Sequence, residues 1–64
     1  MKNRINELRK NSKISQDELA KLCNISRQTI NAIENNKYDP TLSLAFELAK
    51  NLSVTVDELF IYNS

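Results

Sequence analysis

The chain has 64 residues, with nine Lys or Arg against eight Asp or Glu for a net charge of +1, no glycine, no histidine and one cysteine. That length carries one small core and points to a single domain over residues 1–64. Without histidine, with a lone cysteine and with no glycine-rich phosphate loop, no metal or cofactor site and no catalytic constellation assembles, so an enzyme is not expected.

Asn3 is placed to cap a first helix in which Ile5 and Leu8 face inward while Arg4, Glu7, Arg9 and Lys10 stay polar. The Asn11-Ser12-Lys13 stretch breaks that pattern, and the late basic residues suit a helix C-terminus. Ser15 with Glu18 makes a capping box that opens a second helix at Gln16, and Ile14 is placed as a hydrophobic staple on Leu19. Leu19, Leu22 and Cys23 recur at helical spacing and predict its buried face, with Cys23 a small apolar residue. Asn24 tolerates left-handed backbone and ends the helix, and Ile25 plugs the corner. Ser26 then caps a third helix whose inward stripe is Ile30 and Ile33.

Packing leaves Arg27, Gln28, Thr29 and Asn31 unused at or near the start of this third helix. Arg can grip guanine through two hydrogen bonds, and Gln and Asn can pair with adenine's major-groove edge. Two short helices joined by a tight corner over about residues 16–35, the second led by such groups, read as a helix-turn-helix with a recognition helix. At the start of the preceding helix, Ser15 and Gln16 are candidates for holding a phosphate, where the helix dipole favours an anion. After the third helix, Asn36 suits a left-handed exit, and Asn35 and Lys37 are candidates for phosphate contacts, as is Arg9. Tyr38 fits two roles equally: a ring on the core edge, or a hydroxyl reaching phosphate.

Thr41 caps a fourth helix to about Asn51, with Leu42, Ala45, Leu48, Ala49 and Leu52 predicted along its inward stripe. Leu44 and Phe46 fall on opposite flanks of that stripe and suit either the core edge or a dimer contact. Thr55 with Glu58 is a second capping box, opening a short last helix with Leu59 and Phe60 packing inward. Ile61 and Tyr62 begin a tail through Ser64 that can pair as a short strand or cover a subunit interface. Residues 1–37 hold eight Lys or Arg against four acids, a balance of +4, while residues 38–64 hold one Lys against four acids, −3. A basic face therefore falls on the half that carries the helix-turn-helix. There is no apolar run suited to a signal peptide or a bilayer span, and one cysteine cannot form an internal disulfide, so the reducing cytoplasm is the expected compartment.

The segments Gln16-Asp17-Glu18-Leu19-Ala20, Ile25-Ser26-Arg27-Gln28-Thr29-Ile30 and Ile33-Glu34-Asn35-Asn36-Lys37 together resemble the Cro/repressor-type (XRE) helix-turn-helix regulators. Pro40-Thr41-Leu42, Ala49, Leu52 and Val56-Asp57-Glu58-Leu59-Phe60 extend the resemblance over roughly Ile5 to Phe60. It implies an all-α, compact five-helix, lambda-repressor-like DNA-binding domain, here with a possible short C-terminal strand, and a double-stranded DNA operator as partner. It places a small residue at Ala20. It also implies that Glu34, an acid where DNA should lie, pairs with Arg9 on the first helix and helps orient the phosphate-binding groups. Asn24 and Asn36 stand where many relatives have glycine. Ala32 stands where some have a longer base reader, leaving only a methyl for a thymine.

The function expected is a sequence-specific transcriptional regulator, a repressor, binding an inverted-repeat operator as a homodimer. One recognition helix makes few base contacts worth about 1–3 kcal/mol each, whereas specific operators need about 4–10 kcal/mol over other DNA. Two copies reach that level. The alternatives are an antitoxin or a helical adaptor for another protein; an adaptor has no need of Arg-Gln-Thr leading its third helix. No membrane and no small-molecule ligand is expected, since the chain has no room for a ligand domain.

Overall fold

The computed structural model describes residues 1–62, so Asn63 and Ser64 of the tail lie outside the described residues. In chain order the elements are β1 (Lys2–Asn3), α1 (Ile5–Asn11), α2 (Gln16–Leu22), α3 (Arg27–Glu34), α4 (Leu42–Asn51), α5 (Val56–Leu59) and β2 (Phe60–Ile61). Four helix starts are set by hydroxyl caps: Ser15, Ser26, Thr41 and Thr55 accept the backbone N–H of Glu18, Thr29, Leu44 and Glu58. At Ser15 and Thr55 the glutamate reaches back to the cap's own N–H, completing both capping boxes.

Four helix ends share one device. Lys13, Asn24, Asn36 and Ser53 have positive φ of 58°, 57°, 60° and 59°. At each, two backbone bonds run back to the carbonyls two and three residues inside the helix end, the Schellman pattern. Ile14 N–H meets Arg9 C=O and Lys13 N–H meets Lys10 C=O, with the same pair at Ile25/Ala20 and Asn24/Lys21. Lys37/Ala32 with Asn36/Ile33, and Val54/Ala49 with Ser53/Lys50, complete the set. Ile14, Ile25 and Val54 pack against the core just after the turn, which is the apolar lock this motif favours. After α3 that position is Lys37.

The core gathers one or more residues from every helix: Ile5, Leu19, Ala20, Cys23, Ile30, Ile33, Ala45, Leu48, Ala49, Leu52, Leu59 and Phe60. Two residues expected there are not in it. Leu22 is 56% exposed and Leu42 is 70% exposed. Along α2 and its C-cap the buried arc is Leu19, Ala20 and Cys23, which turns Leu22 outward; Leu42 is the first residue of α4 and faces solvent. Burial pushes the Cys23 thiol's pKa up, against a weaker opposing effect of the Asn51 side chain, whose Nδ2 lies 3.7 Å from the sulfur.

Of the expected tail only Ile61 enters a strand, together with Phe60, and the partner strand lies at the other end of the chain. β1 and β2 pair antiparallel with Lys2 opposite Ile61 and Asn3 opposite Phe60, and Arg4 N–H adds a bond to Leu59 C=O at 2.8 Å. This pairing draws Asn3 into β1, so Arg4 occupies the N-cap position of α1 and makes no side-chain cap. Asn3 still serves the helix from one residue earlier: its Oδ1 accepts the Ile5 N–H at 3.1 Å. Its Nδ2 donates to Ile33 C=O at 2.8 Å and to Asn36 Oδ1 at 3.2 Å, tying the end of α3 to the sheet.

Candidate nucleic-acid interface

The α2–α3 corner is held by Ile25 N–H on the carbonyl of Ala20, which is itself buried. From that corner α3 presents Arg27, Gln28 and Asn31 to solvent while Ile30 and Ile33 anchor it beneath. Gln16, Arg27, Gln28 and Asn31 line one shallow depression. Arg9, Ser15, Gln16, Asp17 and Arg27 line the next. Gln16 and Arg27 belong to both, so these residues form one continuous surface across α1, α2 and α3.

Beneath it lies a charged network. Arg9 Nε donates to Glu34 Oε1 at 2.8 Å, with only 12% of the Arg9 side chain and 4% of the Glu34 side chain exposed. The second Glu34 oxygen accepts from Gln16 Nε2. Arg9 Nη1 donates to the Ile14 carbonyl at 2.9 Å, while Ile14's own N–H donates to the Arg9 carbonyl. A carboxylate removed from water is costly unless each oxygen has a donor, and here each has one. The result fixes Arg9, Gln16 and the end of α3 relative to one another.

Other groups named from the sequence are partly committed. The Thr29 hydroxyl lies 2.9 Å from Ser26 Oγ, and Ser26 Oγ also accepts the Thr29 N–H at 3.2 Å. Thr29 is half-buried and joins Ser26, Gln28, Ala32 and Tyr38 around a third recess, which shares Gln28 with the first. Asn35 Nδ2 is turned back onto the Asn31 carbonyl at 2.8 Å. Arg27 and Lys37 are exposed and have no ion-pair partner among the described residues. Ser15 is a working N-cap whose oxygen takes the Glu18 N–H. Of the residues named for a dimer contact, Leu44 is half-buried against the core, whereas Phe46, Ile61 and Tyr62 are exposed. Asn3 also supports this surface through Ile33 and Asn36, a role the sequence does not signal, because an isolated Asn before Ile5 reads only as a cap. Among the described residues no cluster of His, Cys, Asp or Glu could hold a metal ion, and no helix is long and apolar enough to cross a membrane.

Residues 5–59 match the helix-turn-helix family. The chain belongs to that family. It is 48% identical over 62 residues to an uncharacterised HTH-type transcriptional regulator of Methanocaldococcus jannaschii, covering 97% of the chain and 94% of that protein. It is 38% identical over 60 residues to the uncharacterised HTH-type transcriptional regulator YgzD of Bacillus subtilis, covering 94% and 91%. Among solved structures, the restriction-modification controller protein C.AhdI of Aeromonas hydrophila superposes with a TM-score of 0.82 at 32% identity, over 89% of this chain and 86% of that one. The chain is a transcriptional regulator built on a helix-turn-helix DNA-binding domain, and not an enzyme.

Proposed function

We propose that this regulator is a repressor that binds an inverted-repeat operator as a homodimer, with α3 in the major groove. The observation that carries the reading is the front of α3: Arg27, Gln28 and Asn31 are exposed on a helix anchored from behind by Ile30, Ile33 and Glu34. Arg27 and Gln28 are the base readers, for guanine and adenine respectively, and Asn31 supports them. Thr29, its hydroxyl engaged by Ser26, acts with Ala32 and the Tyr38 ring as an apolar rim against a thymine methyl. Arg9, Ser15, Gln16, Asn35 and Lys37 flank the sugar-phosphate backbone, where they set register without reading sequence. Two copies then read half-sites about 34 Å apart on one face of the duplex. A cytoplasmic location goes with this role.

The test is selection from a random duplex pool at moderate salt, run with the wild type and with Gln28→Ala. The expected result is an enriched inverted repeat that the variant loses or alters. Absence of any enrichment, with only weak salt-sensitive binding, would overturn the reading and favour a protein partner instead.

A further inference from the structure

Three of the four left-handed helix ends are closed by an apolar residue on the core: Ile14, Ile25 and Val54. The fourth, after α3, puts Lys37 at that position, exposed and with no ion-pair partner among the described residues. Lys37 is also the one basic residue between Arg27 and Lys50. A turn without its apolar lock is held less firmly, and here a different group holds it. Asn3 reaches the turn from β1, its Nδ2 donating to the Ile33 carbonyl at 2.8 Å and to Asn36 Oδ1 at 3.2 Å. That carbonyl is the one that also accepts the Asn36 N–H. The amide is itself fixed, since its Oδ1 accepts the Ile5 N–H and its backbone lies in the β1–β2 pair.

We propose that Asn3 is the positioning residue for the Lys37 phosphate contact, taking the place of the missing apolar lock so that position 37 can carry a cation. The inference rests on the assignment of Lys37 to the sugar-phosphate backbone and adds what holds it there. An apolar residue at 37 would fasten the turn but bring no charge, whereas a lysine brings the charge and leaves the fastening to another group. Asparagine at 36 then has a reason beyond its tolerance of positive φ. Glycine would take the turn more easily but offer no Oδ1 to Asn3. The clamp shares no hydrogen-bond partner with the Arg9–Glu34–Gln16 network, so the end of α3 is fixed at two separate points. Because phosphate contacts set position without reading sequence, Asn3 acts on affinity and leaves base choice to the front of α3.

The test is the salt dependence of binding by the whole chain, followed by fluorescence anisotropy on the selected operator and on a mixed-sequence duplex. The second probe keeps the readout available if no operator is enriched. Each phosphate neutralised adds about 0.9 to the slope of log affinity against log salt, so losing one makes the fall between about 50 and 200 mM roughly threefold smaller. Lys37→Ala should show that loss for each bound copy, on both duplexes. Asn3→Ser keeps an oxygen for the Ile5 N–H but removes the amide donor; well below its melting temperature it should show about half or more of the same loss. Combining it with Lys37→Ala should reduce the slope no further than Lys37→Ala alone. Asn36→Gly keeps the left-handed turn and should melt close to the wild type, yet share the smaller slope. A folded Asn3→Ser with the wild-type slope, or Asn36→Gly with it should the first not fold, makes Asn3 a structural tie only and overturns the proposal. A wild-type slope for Lys37→Ala overturns it together with the phosphate assignment of Lys37, while base reading by α3 is decided separately by Gln28→Ala.

Discussion

Removing Glu34 tests whether the buried network is one unit. Glu34→Met leaves the Arg9 guanidinium with only the Ile14 carbonyl and takes from Gln16 the acceptor of its amide. Breaking a buried pair from one side costs about 3–5 kcal/mol, and the 12% exposure of Arg9 sets the expectation at the lower end, about 3 kcal/mol. A domain of this size has only about 3–10 kcal/mol in all, so the variant should lose a large part of its stability. Its melting temperature should fall by roughly 12–24 °C at about 4–8 °C per kcal/mol. Arg9→Met should cost a similar amount, because it strands the carboxylate with Gln16 alone. The double variant should be no worse than either single, since an apolar pair of similar volume replaces a buried ion pair at little net cost. Urea unfolding followed by circular dichroism measures all four corners of the cycle. If the two single effects simply add, to within about 0.5 kcal/mol, the charges act independently and the network is not a unit.

Three further predictions follow from other parts of the molecule. Replacing thymine by deoxyuracil at each position of the selected operator should weaken wild-type binding several-fold at one position per half-site, while Thr29→Ser combined with Ala32→Gly should be indifferent to that change. The two Thr55 donors, the backbone N–H at 2.8 Å and the hydroxyl at 3.0 Å, hold the Glu58 carboxyl below the usual glutamate range. Its contribution is thus fully present above that range and is lost as the pH falls through the lowered value, so Glu58→Gln should flatten the acid limb of a melting-temperature profile. Lys13→Gly and Ser53→Gly should each stabilise the chain by up to about 1 kcal/mol in urea unfolding, because a left-handed backbone strains a residue with a β-carbon and glycine's added chain entropy offsets only part of the relief.

Four of the five helix starts were legible because a hydroxyl followed by a free N–H three residues on is a local arrangement, complete within four residues of Ser15, Ser26, Thr41 or Thr55; the start of α1 was not, since β1 takes Asn3 and leaves Arg4 at the cap. Helix ends were half legible. Asn24 and Asn36 announce a left-handed turn by residue type, whereas Lys13 and Ser53 adopt the same backbone with no such mark. Leu22 and Leu42 went astray because spacing shows that apolar residues share a face but not how far that face extends over a seven-residue helix or past a first turn. β1 was invisible: two residues have no period, and its partner lies at the far end of the chain. At the nucleic-acid surface the residue types were readable but their commitments were not. That Thr29 spends its hydroxyl on Ser26, and Asn35 its amide on Asn31, depends on rotamers that composition does not encode.

The placement of Glu34 divides α3 into two ends with different tolerances. At the front, the side chains of Arg27, Gln28 and Asn31 contribute nothing the core needs. At the rear, Glu34 is bound into a set spanning α1 and α2, so a change there propagates to Arg9 and Gln16. A lineage carrying this arrangement can revise what it reads by single substitutions at the leading turn, each leaving the domain folded. The mounting can change only by several replacements made together, so operator preference can drift while the angle at which the helix is offered to DNA stays constant.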